Sequence, residues 1–117
     1  MTIRLTGGCQ CGAVRYALAS MPSGSSICHC RMCQKAGGGL FLVSATVPAA
    51  DLTRTCGQPA TFQSSSVAAR DFCAACGTPL TFRFTPGERV SVGVGTLGEP
   101  SAATPAEQIG MESQLPW

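Results

Sequence analysis

An all-β fold with at most one or two short helices is what this sequence predicts. Three observations lead there: short runs that alternate apolar and polar residues, turn signals rich in Gly and Pro between them, and almost no helical periodicity. At 117 residues the chain has the length of a single domain, read as residues 1–117.

The elements follow in order. Ile3 and Leu5 alternate with Arg4 and Thr6, which predicts a short strand over residues 2–6. Gly7 and Gly8 then let the backbone turn tightly into Cys9 and Cys11. Val14, Tyr16 and Leu18 alternate with Arg15 and Ala17, a second strand. Residues 22–26 are Pro, Ser and Gly, and read as loop. A short helix is expected over Arg31–Ala36, stopped by Gly37, Gly38 and Gly39. Residues 40–47 form an apolar run that predicts a buried strand ending at Pro48. Residues 52–56 and 61–64 read as a hairpin around Gly57, Gln58 and Pro59. Val67–Phe72 and Leu80–Thr85 are two further strands, the second with Phe82 and Phe84 on one face. After a turn at Pro86–Glu88, residues 89–94 return with Val90, Val92 and Val94 aligned. Residues 98–105 are loop, and Gln108–Glu112 is the last strand expected.

Charge excludes some functions. The net charge is +2, only 12% of residues are charged, and the basic residues are scattered. Nucleic-acid binding needs a concentrated basic patch, so none is expected. No apolar run is long enough to span a bilayer, and the first residues lack the apolar core of a signal peptide. A cytoplasmic location is therefore expected, where thiols stay reduced and clustered cysteines serve metal or redox chemistry. The segment Gly93–Gly98 matches a dinucleotide fingerprint, but Pro100 and Pro105 follow where that fingerprint needs a helix. Nucleotide binding is excluded on that ground.

The chemistry of the chain lies in its cysteines. Seven of the eight fall in three clusters: Cys9 and Cys11; Cys28, Cys30 and Cys33; Cys73 and Cys76. Zinc takes thiolates in a tetrahedron, and short turns deliver two at a time. Cys9, Cys11, Cys73 and Cys76 would make a closed, structural four-cysteine site. It would tie the N-terminal strand to a hairpin about sixty residues away. The alternative is a redox pair at Cys73 and Cys76, but that motif belongs before a helix and Gly77-Thr78-Pro79 starts one poorly.

The central triplet offers three ligands, and three ligands with an open position is the layout of a catalytic zinc. Three thiolates leave the site at −1, a weak Lewis acid suited to a soft sulfur ligand rather than to making hydroxide. Arg31, Lys35 and Arg70 could offset that charge. His29, the sole histidine, lies between two ligands, so its side chain points away and it is a bystander or an acid/base helper. Cys56 or His29 could instead close the tetrahedron, although Cys56 reads as a buried free thiol in the hairpin. Thiol redox chemistry at the triplet is a further alternative.

Three segments together resemble the glutathione-dependent formaldehyde-activating enzyme family, which includes centromere protein V. They are Gly7–Tyr16, Cys28–Lys35 and Arg70–Leu80. The resemblance implies a zinc-binding β-sheet fold related to the Rab-binding zinc chaperones. It implies structural zinc on Cys9, Cys11, Cys73 and Cys76, and catalytic zinc on Cys28, Cys30 and Cys33, so two Zn2+ per chain. It further implies a carbon–sulfur lyase or synthase acting on a small thiol adduct such as S-hydroxymethylglutathione. Gln108-Ile109 departs from the His-Ile that the family often carries before its last strand. Two other functions are weighed beside this one: a non-catalytic zinc module that binds a protein partner, and a thiol redox protein.

Overall fold

The computed structural model describes residues 2–117. Its strands are β1 (Leu5–Gly8), β2 (Arg15–Leu18), β3 (Ser23–Cys28), β4 (Leu42–Pro48), β5 (Leu52–Cys56), β6 (Ala60–Ser65), β7 (Ala68–Phe72), β8 (Pro79–Phe84), β9 (Arg89–Gly93) and β10 (Glu107–Ile109). One α-helix, α1 (Arg31–Gly37), and short 3-10 turns complete it, so the fold is mainly β as expected. Among the described residues, no helix is long and apolar enough to cross a membrane.

The strands form two sheets. The smaller has the order β1-β2-β5, and the larger β10-β3-β4-β9-β8-β7-β6. Every pairing is antiparallel except β10 on β3. Tyr16, Leu18, Val47, Leu80 and Val92 are the largest wholly buried apolar side chains. Tyr16 and Leu18 come from the small sheet and the others from the large one, so the core joins the two. Arg54 on β5 reaches Asp71 on β7, 3.8 Å away, and Thr81 on β8, 3.4 Å away. The small sheet therefore lies over that end of the large one. Gly7 makes a bridge to Leu97 and brings Tyr16 against Thr96, whose hydroxyls are 2.7 Å apart.

Five local expectations need correction. Gly7 and Gly8 are not a turn after a strand over residues 2–6: β1 runs Leu5–Gly8, and the two glycines pair with Tyr16 and Arg15 of β2. Residues 22–26 are not loop, because Ser23–Ser26 belong to β3. Ser25 and Ser26 are buried between β10 and β4, and Ser25 Oγ donates to the Ala103 carbonyl at 3.1 Å. Strands β5 and β6 exist but form no hairpin. Gly57, at φ +68, packs on the Ala13 carbonyl and lets the chain leave β5 in one sheet for β6 in the other. Cys56 is consequently exposed, not buried. The last strand ends at Ile109, where Gly110 adopts a left-handed conformation and starts a 3-10 turn over Met111–Ser113. After β9 the chain enters only a 3-10 turn, Val94–Thr96, so the glycines at 93–98 open no dinucleotide-binding helix.

Candidate metal centres

Two similar loops build the first cluster. Cys9 follows β1, its N–H bonds the Val14 carbonyl at 3.0 Å, and Gly12 at φ +83 lets the loop close. Cys73 follows β7, its N–H bonds the Thr78 carbonyl at 3.0 Å, and Gly77 at φ +82 does the same work. The loops are joined where Gln10 N–H donates to Thr78 Oγ1 at 3.1 Å. Val14 N–H also donates to Cys9 Sγ at 3.3 Å.

All four sulfurs lie within 4.8 Å of one another. Cys9 and Cys11 are separated by 3.6 Å, and Cys11 and Cys73 by 3.7 Å. A zinc–sulfur bond of about 2.3 Å gives a tetrahedral edge of about 3.8 Å, so the spacing suits that ion. The electrostatics agree. The Thr78 hydroxyl and N–H pull the Cys76 thiol down to about 5. Although the Ala13 N–H favours its thiolate, the Cys76 and Cys9 sulfurs push Cys11 up to about 11. One thiolate thus suppresses its neighbour, and full ionisation of the set calls for a cation among the four sulfurs.

The second cluster lies where β3 meets α1. Cys28 is the last residue of β3, Cys30 caps α1, and Cys33 sits in its first turn. Their sulfurs also lie within 4.8 Å of one another. Cys30 Sγ accepts the Cys33 N–H at 3.3 Å, an N-cap that orients both residues. Burial opposes ionisation of Cys30, but that N–H and the adjacent thiols hold it below the ordinary thiol range. Burial and the Cys28 and Cys30 sulfurs push Cys33 up to about 12, against the pull of Arg70. Arg70 Nη2 points at Cys33 Sγ from 3.9 Å, while Nε bonds Ser64 Oγ at 3.4 Å. The guanidinium stacks on Phe82, 4.7 Å from the ring centroid. β3 and β7 are not neighbours in the sheet, so the contact is made by α1, which follows β3, with a side chain of β7.

Other site residues fall differently. Arg31 donates to Gln34 Oε1, and Lys35 is exposed, so of the three cations only Arg70 touches the triplet. Cys56 is on β5 in the other sheet, outside both sulfur groups. His29 is buried, and its Nε2 pairs with Gln108 Oε1 at 2.8 Å. Its ring also packs at 5.6 Å from the Phe41 centroid. Gln34 and Gly110, which pack beside Cys30 and Cys33, are not legible as site residues, and Gln108, which pairs with His29, stands out in the sequence only as a departure from the family's His-Ile. A lone buried glutamine or a turn glycine carries no signal until the chain is folded.

A family model described as glutathione-dependent formaldehyde-activating enzyme matches residues 4–113. No curated protein matches the chain. A crystal structure of a Rhodobacter sphaeroides protein, determined as a structural genomics target, superposes with a TM-score of 0.66 at 27% identity. The match covers 80% of this chain and 87% of that one.

Proposed function

We propose, because this chain belongs to the glutathione-dependent formaldehyde-activating enzyme family, that it is a zinc-dependent carbon–sulfur lyase-like enzyme. Its substrate in this reading is a small thiol adduct of the S-hydroxymethylglutathione type. Cys9, Cys11, Cys73 and Cys76 hold a structural metal, and Cys28, Cys30 and Cys33 hold the working one. The observation that carries the proposal is the inequality of the two clusters: four sulfurs group in one and three in the other.

Neither residue that could complete the triplet groups with its three sulfurs. Cys56 is in the other sheet, and His29 is engaged by Gln108. Zinc at such a site supplies a soft, weakly acidic centre that favours sulfur over hydroxide. The remaining work belongs to the chain. Arg70 sets a fixed positive charge beside Cys33, which offsets part of the negative charge of three thiolates. The capped start of α1 holds Cys30 and Cys33 in one orientation. In the reaction itself the carbon–sulfur bond of the adduct breaks as its hydroxyl loses a proton and becomes the aldehyde carbonyl. The thiolate leaves and takes up a proton, and synthesis is the reverse. His29, packed against Phe41 and paired through Nε2 with Gln108, stands beside this site as a support or an acid/base helper.

Exchange spectroscopy by NMR on formaldehyde mixed with glutathione tests the proposal. The zinc-loaded protein should speed exchange between free thiol and adduct, and Cys28→Ser should lose the effect. No acceleration with glutathione or with other small thiols would refute it. A second reading, a zinc module that docks a partner protein, draws on the 60% exposure of both Phe62 and Phe84. It predicts intact binding of both metals with no exchange activity.

A further inference from the structure

The Cys28–Cys33 loop is held from behind by a segment far away in sequence. β10 runs parallel to β3, with Ile109 opposite Cys28, and Ala106 N–H donates to the Ser25 carbonyl at 2.9 Å. His29, between two of the sulfur-bearing residues, donates its N–H to the Ile109 carbonyl at 3.0 Å. Gly110 follows at φ +65 and abuts Cys30. A Cβ there would stand 2.7 Å from the Cys30 nitrogen and 3.1 Å from its Cβ. Gln34, next to Cys33 and buried, donates through Nε2 to two carbonyls at once: His29 at 2.8 Å and Ser113 at 3.1 Å.

α1 has only seven residues, too few to hold its own shape in water without tertiary support. The orientation of Cys30 and Cys33 must therefore come from what the helix is tied to. Gln34 ties it to the 3-10 turn after β10, and Gly110 lets that turn approach Cys30 closely. None of these contacts reaches Cys9, Cys11, Cys73 or Cys76.

We infer that residues 106–113 are a brace that sets the geometry of the Cys28–Cys30–Cys33 metal site, with Gly110 and Gln34 as its positioning residues. The inference rests on the reading of the triplet as a metal site. Outer partners of this kind typically contribute ten- to hundred-fold in metal affinity.

The test is zinc retention by the full chain against a graded chromophoric chelator, in the unmodified protein and in Gly110→Ala and Gln34→Met. Gln34→Met keeps the length of the side chain and removes the amide, which guards against Gly110→Ala simply failing to fold. Expected is one zinc held as tightly as before and a second held about ten- to hundred-fold more weakly in both variants. If the unmodified chain retains a single zinc, the reading of the triplet fails and takes the brace with it. If it retains two and both variants keep the second within about threefold, the site stands and the brace alone is overturned. Loss of both zincs together in Gln34→Met also overturns it, since the contact would then support the whole fold.

Discussion

Arg70 Nη2 stands 3.9 Å from Cys33 Sγ, and its guanidinium lies on the ring of Phe82. This arginine is the one cation in contact with a cluster that would carry three thiolates. Lysine cannot reproduce a stacked, planar group that also bonds Ser64 through Nε. Arg70→Met should weaken zinc binding at the triplet by about tenfold and leave the four-cysteine site untouched. Arg70→Lys should recover only part of the loss. Chelator competition on both variants checks this.

Metal removal should unfold the chain. The four-cysteine site joins the loop after β1 to the loop after β7. A structural zinc contributes on the order of 10–16 kcal/mol in small domains, against a net stability of about 5–15 kcal/mol. A strong chelator should abolish the cooperative thermal transition, and added zinc should restore it. Calorimetry with and without chelator measures this, and an unmoved transition would contradict it.

Asp71 should matter far more than a surface acid. It is 3% exposed and accepts from Thr61, Thr81 and Arg83, with Arg54 close by. Burial works against its charge, but these donors together hold its carboxyl below the ordinary range. Asp71→Asn leaves two arginines without their anion. The expected loss is about 2–4 kcal/mol in urea melts at neutral pH, below that of a fully buried pair because Arg83 is partly exposed. The sign with pH follows from the lowered folded value. The contribution is complete above the unfolded value near 4 and is lost as pH falls through the folded one. The gap between wild type and variant should therefore narrow only below about pH 4.

Gly7→Ala should destabilise the joint between the sheets. A Cβ at Gly7 would stand 2.5 Å from both the Thr96 carbonyl oxygen and the Tyr16 hydroxyl. Because one of these is backbone, rotation of a side chain cannot relieve the collision. A cost of about 1–3 kcal/mol is expected, read as a lowered Tm.

The cysteine spacing makes the two sulfur groups legible ahead of the fold. Loops of Cys9-Gln10-Cys11 and Cys73-Ala74-Ala75-Cys76 carry their geometry locally, in a turn and a left-handed glycine. The α1 helix was legible for the same reason, since its cap and its stop are neighbours in sequence. What stayed hidden depends on partners distant in the chain. β3 was missed because its serines look like loop until β10 and β4 flank them. Gly57 and Pro59 signal a hairpin between β5 and β6, but the same residues serve equally well to carry a chain between sheets. Cys56, the last residue of β5, is exposed for the same reason. Gln34, Gln108 and Gly110 each make a contact across more than seventy residues, beyond the reach of any local pattern.

Counting sulfur around zinc tests the central claim most directly. X-ray absorption at the zinc edge on protein loaded with two zincs per chain should give about 3.5 sulfur neighbours per metal, with a lighter atom making up the remainder. That value is the mean of one closed four-sulfur site and one three-sulfur site with a place left for substrate. Four sulfurs per zinc would mean that the triplet is closed, and a chain that takes up only one zinc would mean that it is no metal site. Either result contradicts the account.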